Sequence, residues 1–241
     1  MLFGKRKQSL RALLKPIIPP LCPLCHSVIE ADESLCAPCW KALEFISDPQ
    51  CSACAFPLEC GENTTLLCGA CLKDTPPFSR TRAAFRYTPS SKNLVLQLKY
   101  GDATHLVPLF TQWMTRNKDI FQGVDALIPV PLHWTRLVYR GFNQAALLAR
   151  SLSKTTEIPL WASLLKRPKK TASQGTLSKE DRQTSLRQAF YIDPKYRPFL
   201  KGKTVILVDD VMASGSTVKF CTETLLTAGA KEVRVIVLCR S

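Results

Sequence analysis

The chain has 241 residues, of which 46% are hydrophobic, and its mean hydropathy of −0.01 is typical of a soluble globular protein. This length allows one α/β domain of ordinary size plus a small additional domain, and no apolar run is long enough for a membrane-spanning helix. Lys and Arg outnumber Asp and Glu by 33 − 19 = 14, which is more than solubility requires and favours polyanions: nucleic acid, phosphorylated metabolites or an anionic membrane surface.

Residues 1–20 form a basic N-terminal arm. Its cations alternate with apolar residues, and it has no continuous hydrophobic core of the kind found in signal peptides, so we expect a cytoplasmic protein. The arm could fold as a short amphipathic helix that makes peripheral contact with a membrane or binds nucleic acid. A frayed, solvated tail is the alternative.

Cysteine dominates residues 21–74, which contain nine of the eleven cysteines. Eight of these form four Cys-x-x-Cys pairs, namely Cys22 with Cys25, Cys36 with Cys39, Cys51 with Cys54, and Cys68 with Cys71. Two intervening residues place both sulfurs on one tetrahedral metal ion, so two pairs complete a four-cysteine zinc site. Successive pairs could share an ion, or the pairs could be cross-braced. A zinc ion held by four cysteines has no open coordination position, so we expect structural Zn2+.

Two alternatives to zinc remain for this segment. A disulfide framework is disfavoured without a secretory signal, and an iron-sulfur cluster uses the same ligands. His26 and Cys60 are spare ligands that we expect to be bystanders.

Residues 74–78 contain Pro76 and Pro77 and are predicted to link this small domain to a second domain at residues 78–241. A strand is predicted at 83–87, followed by helices at 90–100 and 106–114. The first of these helices has an apolar stripe at helical spacing, and we expect Lys92 and Lys99 on its outer face.

Residues 124–131 are predicted to be the first strand of the main sheet, because their aliphatic residues end in two prolines. A polar loop at 132–144 and a helix at 145–152 follow. In an α/β sheet such a loop lies at the carboxyl ends of the strands, where ligands bind. Guanidinium groups bind phosphate oxygens bidentately, so Arg136 and Arg140 are candidate ligands of a phosphorylated substrate. His133 could order the loop or take part in the chemistry.

The organising element is residues 204–217. Residues 205–208 are four consecutive aliphatics, which predicts a central strand buried on both faces and ending before Asp209 and Asp210. A small-residue loop follows and opens a helix that buries Val218, Cys221 and Leu225 and stops near Gly229. The loop consists of Ala213, Ser214, Gly215, Ser216 and Thr217. Residues 232–239 are predicted to form the last strand, in which Cys239 is buried.

Each part of this element suits a different group of one ligand. A helix N-terminus offers unpaired N–H groups to a phosphate, whereas two carboxylates can accept hydrogen bonds from a vicinal diol or lie near a divalent cation. No Lys follows Gly215, so the loop is not a Walker A motif, and the chain has no Gly-x-Gly-x-x-Gly.

Residues 205–217 resemble the phosphoribosyl pyrophosphate (PRPP) motif of type I phosphoribosyltransferases. The resemblance implies that Asp209 and Asp210 bind the ribose hydroxyls at the catalytic centre. It also implies that residues 213–217 hold the 5'-phosphate and that Mg2+ accompanies PRPP. Ala213 departs from the Thr of many members, which removes one hydroxyl and leaves the backbone N–H.

A narrower resemblance comes from Pro-Val-Pro-Leu-His at 129–133 with Arg136 and Arg-Gly-Phe-Asn-Gln at 140–144. Together with the cysteine pairs, this pattern resembles the ComF family of competence proteins over residues 20–241. The implied fold is α/β, a type I phosphoribosyltransferase-like parallel sheet with flanking helices, preceded by a small double zinc ribbon.

By position, basic residues 166–187 match the hood loop that closes over PRPP in these enzymes, although a solvated basic loop is the alternative. Their Ser185-Leu-Arg187 departs from the Asn-Leu-Arg common in the family.

The ComF resemblance implies a protein of natural transformation that binds PRPP and handles incoming single-stranded DNA, with competence machinery proteins as candidate partners. Trp134, Tyr139 and Phe142 are the aromatic residues placed to stack on bases. Two alternatives share the PRPP pocket. One is an active phosphoribosyltransferase of nucleotide salvage, although the sequence shows no recognisable acceptor pocket and no obvious carboxylate to act as a base toward a purine or pyrimidine. The other is a PRPP-sensing regulator without turnover.

Overall fold

The computed structural model describes residues 19–32, 34–59, 66–100, 103–168 and 189–241. Within these residues lie six strands and eight α-helices. The strands are β1 Arg80–Arg86, β2 Ala126–Pro129, β3 Leu165–Lys166, β4 Tyr191–Ile192, β5 Thr204–Met212 and β6 Glu232–Arg240. The helices are α1 Ala37–Ala42, α2 Gly69–Lys73, α3 Pro89–Tyr100, α4 Val107–Met114, α5 Trp134–Arg140, α6 Gln144–Thr156, α7 Arg197–Leu200 and α8 Ser216–Thr227. Almost all of the predicted arm and hood loop falls outside the described residues.

Four parallel strands form the main sheet in the order β1-β6-β5-β2, with β5 in its interior. Residues 205–208 are fully buried, which confirms the predicted central strand. The predicted end of this strand was wrong, because β5 continues through the acidic pair to Met212. The long neighbour β6 explains the extension, since Asp209 pairs with Val237 and Met212 pairs with Arg240.

The main sheet begins earlier in the chain than predicted. β1 at Arg80–Arg86 pairs in parallel with β6, so the segment around 124–131 supplies the second strand, β2, and not the first. β2 lies at the opposite side of the sheet and pairs with β5. Strand order depends on long-range pairing along β6, which the local pattern of β2 does not contain.

The helices confirm most of the predicted periodicities. Leu94, Val95 and Leu98 of α3 are buried, and so are Val218, Cys221 and Leu225 of α8. The prediction of a loop at 132–144 was wrong in one respect, because this segment contains the two-turn helix α5. His133 Nδ1 accepts a hydrogen bond from the backbone N–H of Thr135 at 3.3 Å, and Gly141 ends the helix with φ 77°. These caps stabilise a short helix of only seven residues.

The cysteine-rich segment packs directly on the sheet. The backbone N–H of Ile46 donates to the Ala84 carbonyl at 3.0 Å, and that of Arg86 donates to the Glu44 carbonyl at 2.8 Å, along the outer edge of β1. Phe45 stacks edge-on against Trp113 of α4, with their ring centroids 5.3 Å apart. Strand edges left open are prone to pairing with other chains, and here the cysteine-rich segment covers this one.

Two further features complete the fold. β3 and β4 form a separate antiparallel pair, with Leu165 opposite Ile192. In the part of the chain that the structure describes, no helix is both long enough and apolar enough to cross a membrane.

Candidate functional site

The eight paired cysteines gather into two clusters of four. Within each cluster the sulfur atoms all lie within 4.8 Å of one another. The first cluster is Cys22, Cys25, Cys36 and Cys39, and the second is Cys51, Cys54, Cys68 and Cys71. Successive pairs therefore share a cluster, and the cross-braced arrangement is not formed. Four sulfurs at this separation fit tetrahedral Zn2+.

The two clusters differ in exposure. Cys25 is exposed, and hydrogen bonding to the Ser27 hydroxyl lowers its pKa to about 6, which favours the thiolate that binds metal. In the second cluster Cys51, Cys54 and Cys71 are buried against the core beneath the sheet. His26 is exposed and belongs to neither cluster, whereas Cys60 lies outside the described residues.

The acidic pair lies at the carboxyl end of β5. The backbone N–H of Asp210 donates to Asp209 Oδ1 at 2.9 Å, and that of Val211 donates to Asp210 Oδ1 at 2.8 Å. Burial, reinforced by the adjacent Asp210 charge, raises the pKa of Asp209 well above its usual range. Two close carboxylates in partly buried surroundings are stabilised by a cation or by hydroxyl donors.

Lys99 supplies one such cation, and sequence analysis missed it. Its Nζ lies 3.4 Å from Asp210 Oδ2, and its side chain is 22% exposed, so the predicted outward orientation was wrong. Asp210 Oδ2 is buried and accepts no hydrogen bond from the described residues. Lys99 follows the buried Val95 by four residues, and this i, i+4 spacing was the available signal for an inward side chain.

The loop at 213–217 turns directly into α8. Gly215 is the N-cap residue with φ 75°, a conformation that favours glycine. The hydroxyls of Ser214 and Ser216 lie 2.9 Å apart, and both residues face solvent at least in part. The first N–H groups of α8 have no intrahelical acceptor, so this loop can donate to an anion.

Arg240, at the end of β6, joins this loop to the second cysteine cluster. Its Nη1 donates to the carbonyl oxygens of Met212 at 3.0 Å and Ala213 at 2.6 Å, and its Nε donates to the Cys54 carbonyl at 3.1 Å. In the same region Lys219 of α8 pairs with Asp74 at 2.8 Å. A cavity of about 520 Å3 lies between these two contacts. Nothing in the sequence signalled this junction, because it joins segments that are far apart in the chain.

The two predicted arginines lie on α5 and have different neighbours. Arg140 donates to Gln144 Oε1 at 3.2 Å and to the Tyr100 hydroxyl at 3.3 Å. Arg136 lies close to Arg167: burial, followed by repulsion from Arg136, lowers the pKa of Arg167, while Asp209 raises it. Lys99 therefore lies beside Asp210, and Arg167 lies within electrostatic range of Asp209.

The parallel sheet with flanking helices, the acidic pair with its loop at the end of β5, and the two four-cysteine clusters together define the class: a phosphoribosyltransferase-fold protein with an N-terminal double zinc ribbon. Two family models agree with this description. A double zinc ribbon domain matches residues 13–72, and a phosphoribosyl transferase domain matches residues 138–241.

Curated relatives give the narrower assignment. The chain is 30% identical over 231 residues to the DNA utilization protein YhgH of Shigella flexneri, covering 93% of this chain and 98% of that protein. It is 31% identical over 218 residues to competence protein F of Haemophilus influenzae, covering 88% and 92%. It is 26% identical over 224 residues to competence protein ComFC of Bacillus subtilis, covering 89% and 87%. The chain belongs to the ComF family.

Proposed function

We propose that this ComF-family protein binds PRPP with Mg2+ at the end of β5 and handles incoming single-stranded DNA during natural transformation. The observation that carries the PRPP assignment is the direct succession of two carboxylates, a left-handed glycine and a helix N-terminus at one end of an interior strand. In this assignment Asp209 and Asp210 bind the ribose hydroxyls and are the catalytic pair. Ala213, Ser214, Gly215, Ser216 and Thr217 hold the 5'-phosphate.

The surrounding charges fit the other end of PRPP. A pyrophosphate group carries several negative charges, and guanidinium groups bind its oxygens bidentately. Arg136 and Arg140 are assigned to it, and Lys99 adds a third cation beside Asp210. The raised pKa of Asp209 and the buried Asp210 Oδ2 fit a divalent cation with oxygen ligands. Mg2+ would neutralise the charge of the bound pyrophosphate.

The proposed DNA role rests on the net charge of the chain and on its similarity to named proteins. The net charge of +14 favours a polyanion. The similar proteins from Haemophilus influenzae and Bacillus subtilis are named competence proteins, and that from Shigella flexneri a DNA utilization protein. We assign the protein to the cytoplasm, with competence machinery proteins as partners and with peripheral membrane contact through residues 1–20. The proposed division is the arm at 1–20, the double zinc ribbon at 21–74 and the phosphoribosyltransferase-like domain at 78–241.

Turnover is the second candidate function. It is favoured by two neighbouring cations, Arg136 and Arg167, of which Arg167 interacts with Asp209, because a leaving pyrophosphate needs cations. A phosphoribosyltransferase of nucleotide salvage would release pyrophosphate from PRPP with an acceptor base. A PRPP-sensing regulator would bind PRPP without releasing pyrophosphate.

Calorimetric titration of the zinc-loaded protein with PRPP and Mg2+ tests the assignment. We expect micromolar binding that the double variant Asp209→Asn with Asp210→Asn abolishes. Asp125→Asn is the matched control, because Asp125 contacts Thr204 and Lys203 at the opposite end of β5. Folded protein that binds no PRPP would refute the proposal.

The same titration with a saturating single-stranded oligonucleotide asks whether DNA changes PRPP affinity. A pyrophosphate-release assay with purine and pyrimidine bases then separates an enzyme from a regulator. DNA binding that persists in the double Asp variant would place the DNA contacts outside the PRPP pocket.

A further inference from the structure

A second cavity, of about 560 Å3, opens beside the acidic pair. Its lining residues are Lys99, Tyr100, Tyr139, Arg140, Gly141 and Phe142. Lys99 lines this cavity and also contacts the acidic pair, because its Nζ lies 3.4 Å from Asp210 Oδ2. The cavity therefore borders the proposed PRPP site at Lys99.

The composition of the lining is unusual for a protein surface. Three of the six residues are aromatic, two are cationic, and none of these six is acidic. The side chains of Tyr139 and Tyr100 are largely in solvent, with the residues 80% and 59% exposed. Exposed rings beside cations are the combination found where single-stranded nucleic acid binds, because the rings stack on bases and the cations contact phosphates.

The Tyr100 ring and the Arg140 guanidinium are held by a framework of contacts. Arg140 lies over the Tyr100 ring, with its guanidinium carbon 5.1 Å from the ring centroid. Gln144 accepts from Arg140 and donates to the Lys99 carbonyl at 3.4 Å. Asn143 donates to the Val130 carbonyl at 3.0 Å and caps α6 through the Ala145 N–H. These contacts join the C-terminus of α3 to the α5–α6 turn, so little ordering is required when a ligand binds.

We propose that this cavity binds one unpaired base of single-stranded DNA, stacked on Tyr139 and Tyr100, with the flanking phosphates on Lys99 and Arg140. The inference rests on the proposed DNA function and gives it a location. A base in a duplex has both faces covered by neighbouring base pairs, so the site selects single strands. Because Lys99 and Arg140 are also assigned to PRPP, a bound strand and PRPP would compete for both charges.

Fluorescence anisotropy with a labelled oligothymidylate tests the role of the ring. We expect Tyr139→Ala to weaken binding roughly tenfold, and Tyr139→Phe to bind as the wild type does. The matched control is Phe199→Ala, which removes another largely exposed ring, 65% exposed, from α7 outside this cavity. The control should leave the affinity unchanged.

An oligomer of abasic deoxyribose phosphates separates stacking from charge. Wild type and Tyr139→Ala should bind this oligomer equally, because it has phosphates and no bases. Arg140→Gln should weaken binding of both oligomers and reduce the slope of log K against log salt by about 0.7.

The outcomes distinguish this inference from the proposed function. Wild-type protein that binds no oligothymidylate refutes the DNA function and the site together. Wild-type binding that Tyr139→Ala does not change, or that Phe199→Ala weakens equally, refutes this site and leaves the DNA function standing. Equal affinity for duplex and single strand also refutes stacking in this cavity.

Discussion

Replacing Arg240 by Met tests whether the cysteine-rich segment supports the phosphate loop. Arg240 donates three hydrogen bonds to the carbonyls of Cys54, Met212 and Ala213, and a fourth to Ser241. Hydrogen bonds from a charged group contribute about 1.5–3 kcal/mol each. Water reaches this partly exposed side chain and replaces some of them, so we expect a loss of about 3 kcal/mol in the free energy of unfolding. For a chain of this size that corresponds to a Tm lower by about 6–12 °C.

Arg234→Met is the matched control, because Arg234 lies near the other end of β6 and donates to the carbonyls of Ile120 and Gln122 and to Glu232. Both variants should lose comparable stability by thermal unfolding. Only Arg240→Met should speed amide hydrogen exchange at 213–217 and weaken PRPP binding, with zinc content unchanged. Equal exchange at 213–217 in the two variants would show that Arg240 does not hold the loop.

Three further predictions concern the acidic pair and the metal clusters. Asp209→Asn should stabilise the ligand-free protein by about 1 kcal/mol at neutral pH. The raised pKa of Asp209 makes its ionisation costly in the folded protein, so the stability gained by Asp209→Asn should shrink as pH falls toward 3.8 and Asp209 becomes protonated. Urea unfolding measured at several pH values checks this. A chelator should remove zinc in two phases, because Cys25 of the first cluster is exposed and Cys54 of the second is buried. Cys25→Ser should abolish the fast phase, and a single phase in the wild type would contradict this. Lys99→Met, which removes the cation 3.4 Å from Asp210, should weaken PRPP binding about tenfold by calorimetry, whereas unchanged affinity would exclude Lys99 from the site.

The junction at Arg240 suggests why a metal-binding segment accompanies this fold. The buried cysteines of the second cluster belong to the same apolar core as Val205 and Leu207 of β5. Metal binding to such a cluster contributes to folding free energy, on the order of 10 kcal/mol per site. Because the cluster and β5 share this core, metal binding at the second cluster also stabilises the strand that carries the acidic pair.

The features whose chemistry is local could be predicted from the sequence. Cysteine spacing predicted four-sulfur sites, and the aliphatic run at 205–208 predicted a buried strand followed by carboxylates and an anion-binding turn. The cysteine clusters and the buried strand are confirmed, because a ligand pair and a strand core are each built from residues a few positions apart, whereas anion binding at the turn stays a prediction.

The tertiary structure brings together distant groups whose contacts the local sequence pattern does not contain. It paired the cysteines successively, extended β5 past Asp209 along β6, and turned Lys99 toward Asp210. Periodicity identifies the face of a helix that is buried but not the element that covers it, so the partner of Lys99 was invisible in the sequence. Likewise, the contact of Arg240 with Cys54 joins residues 186 positions apart, and only the packing of the cysteine-rich segment on the sheet brings them together.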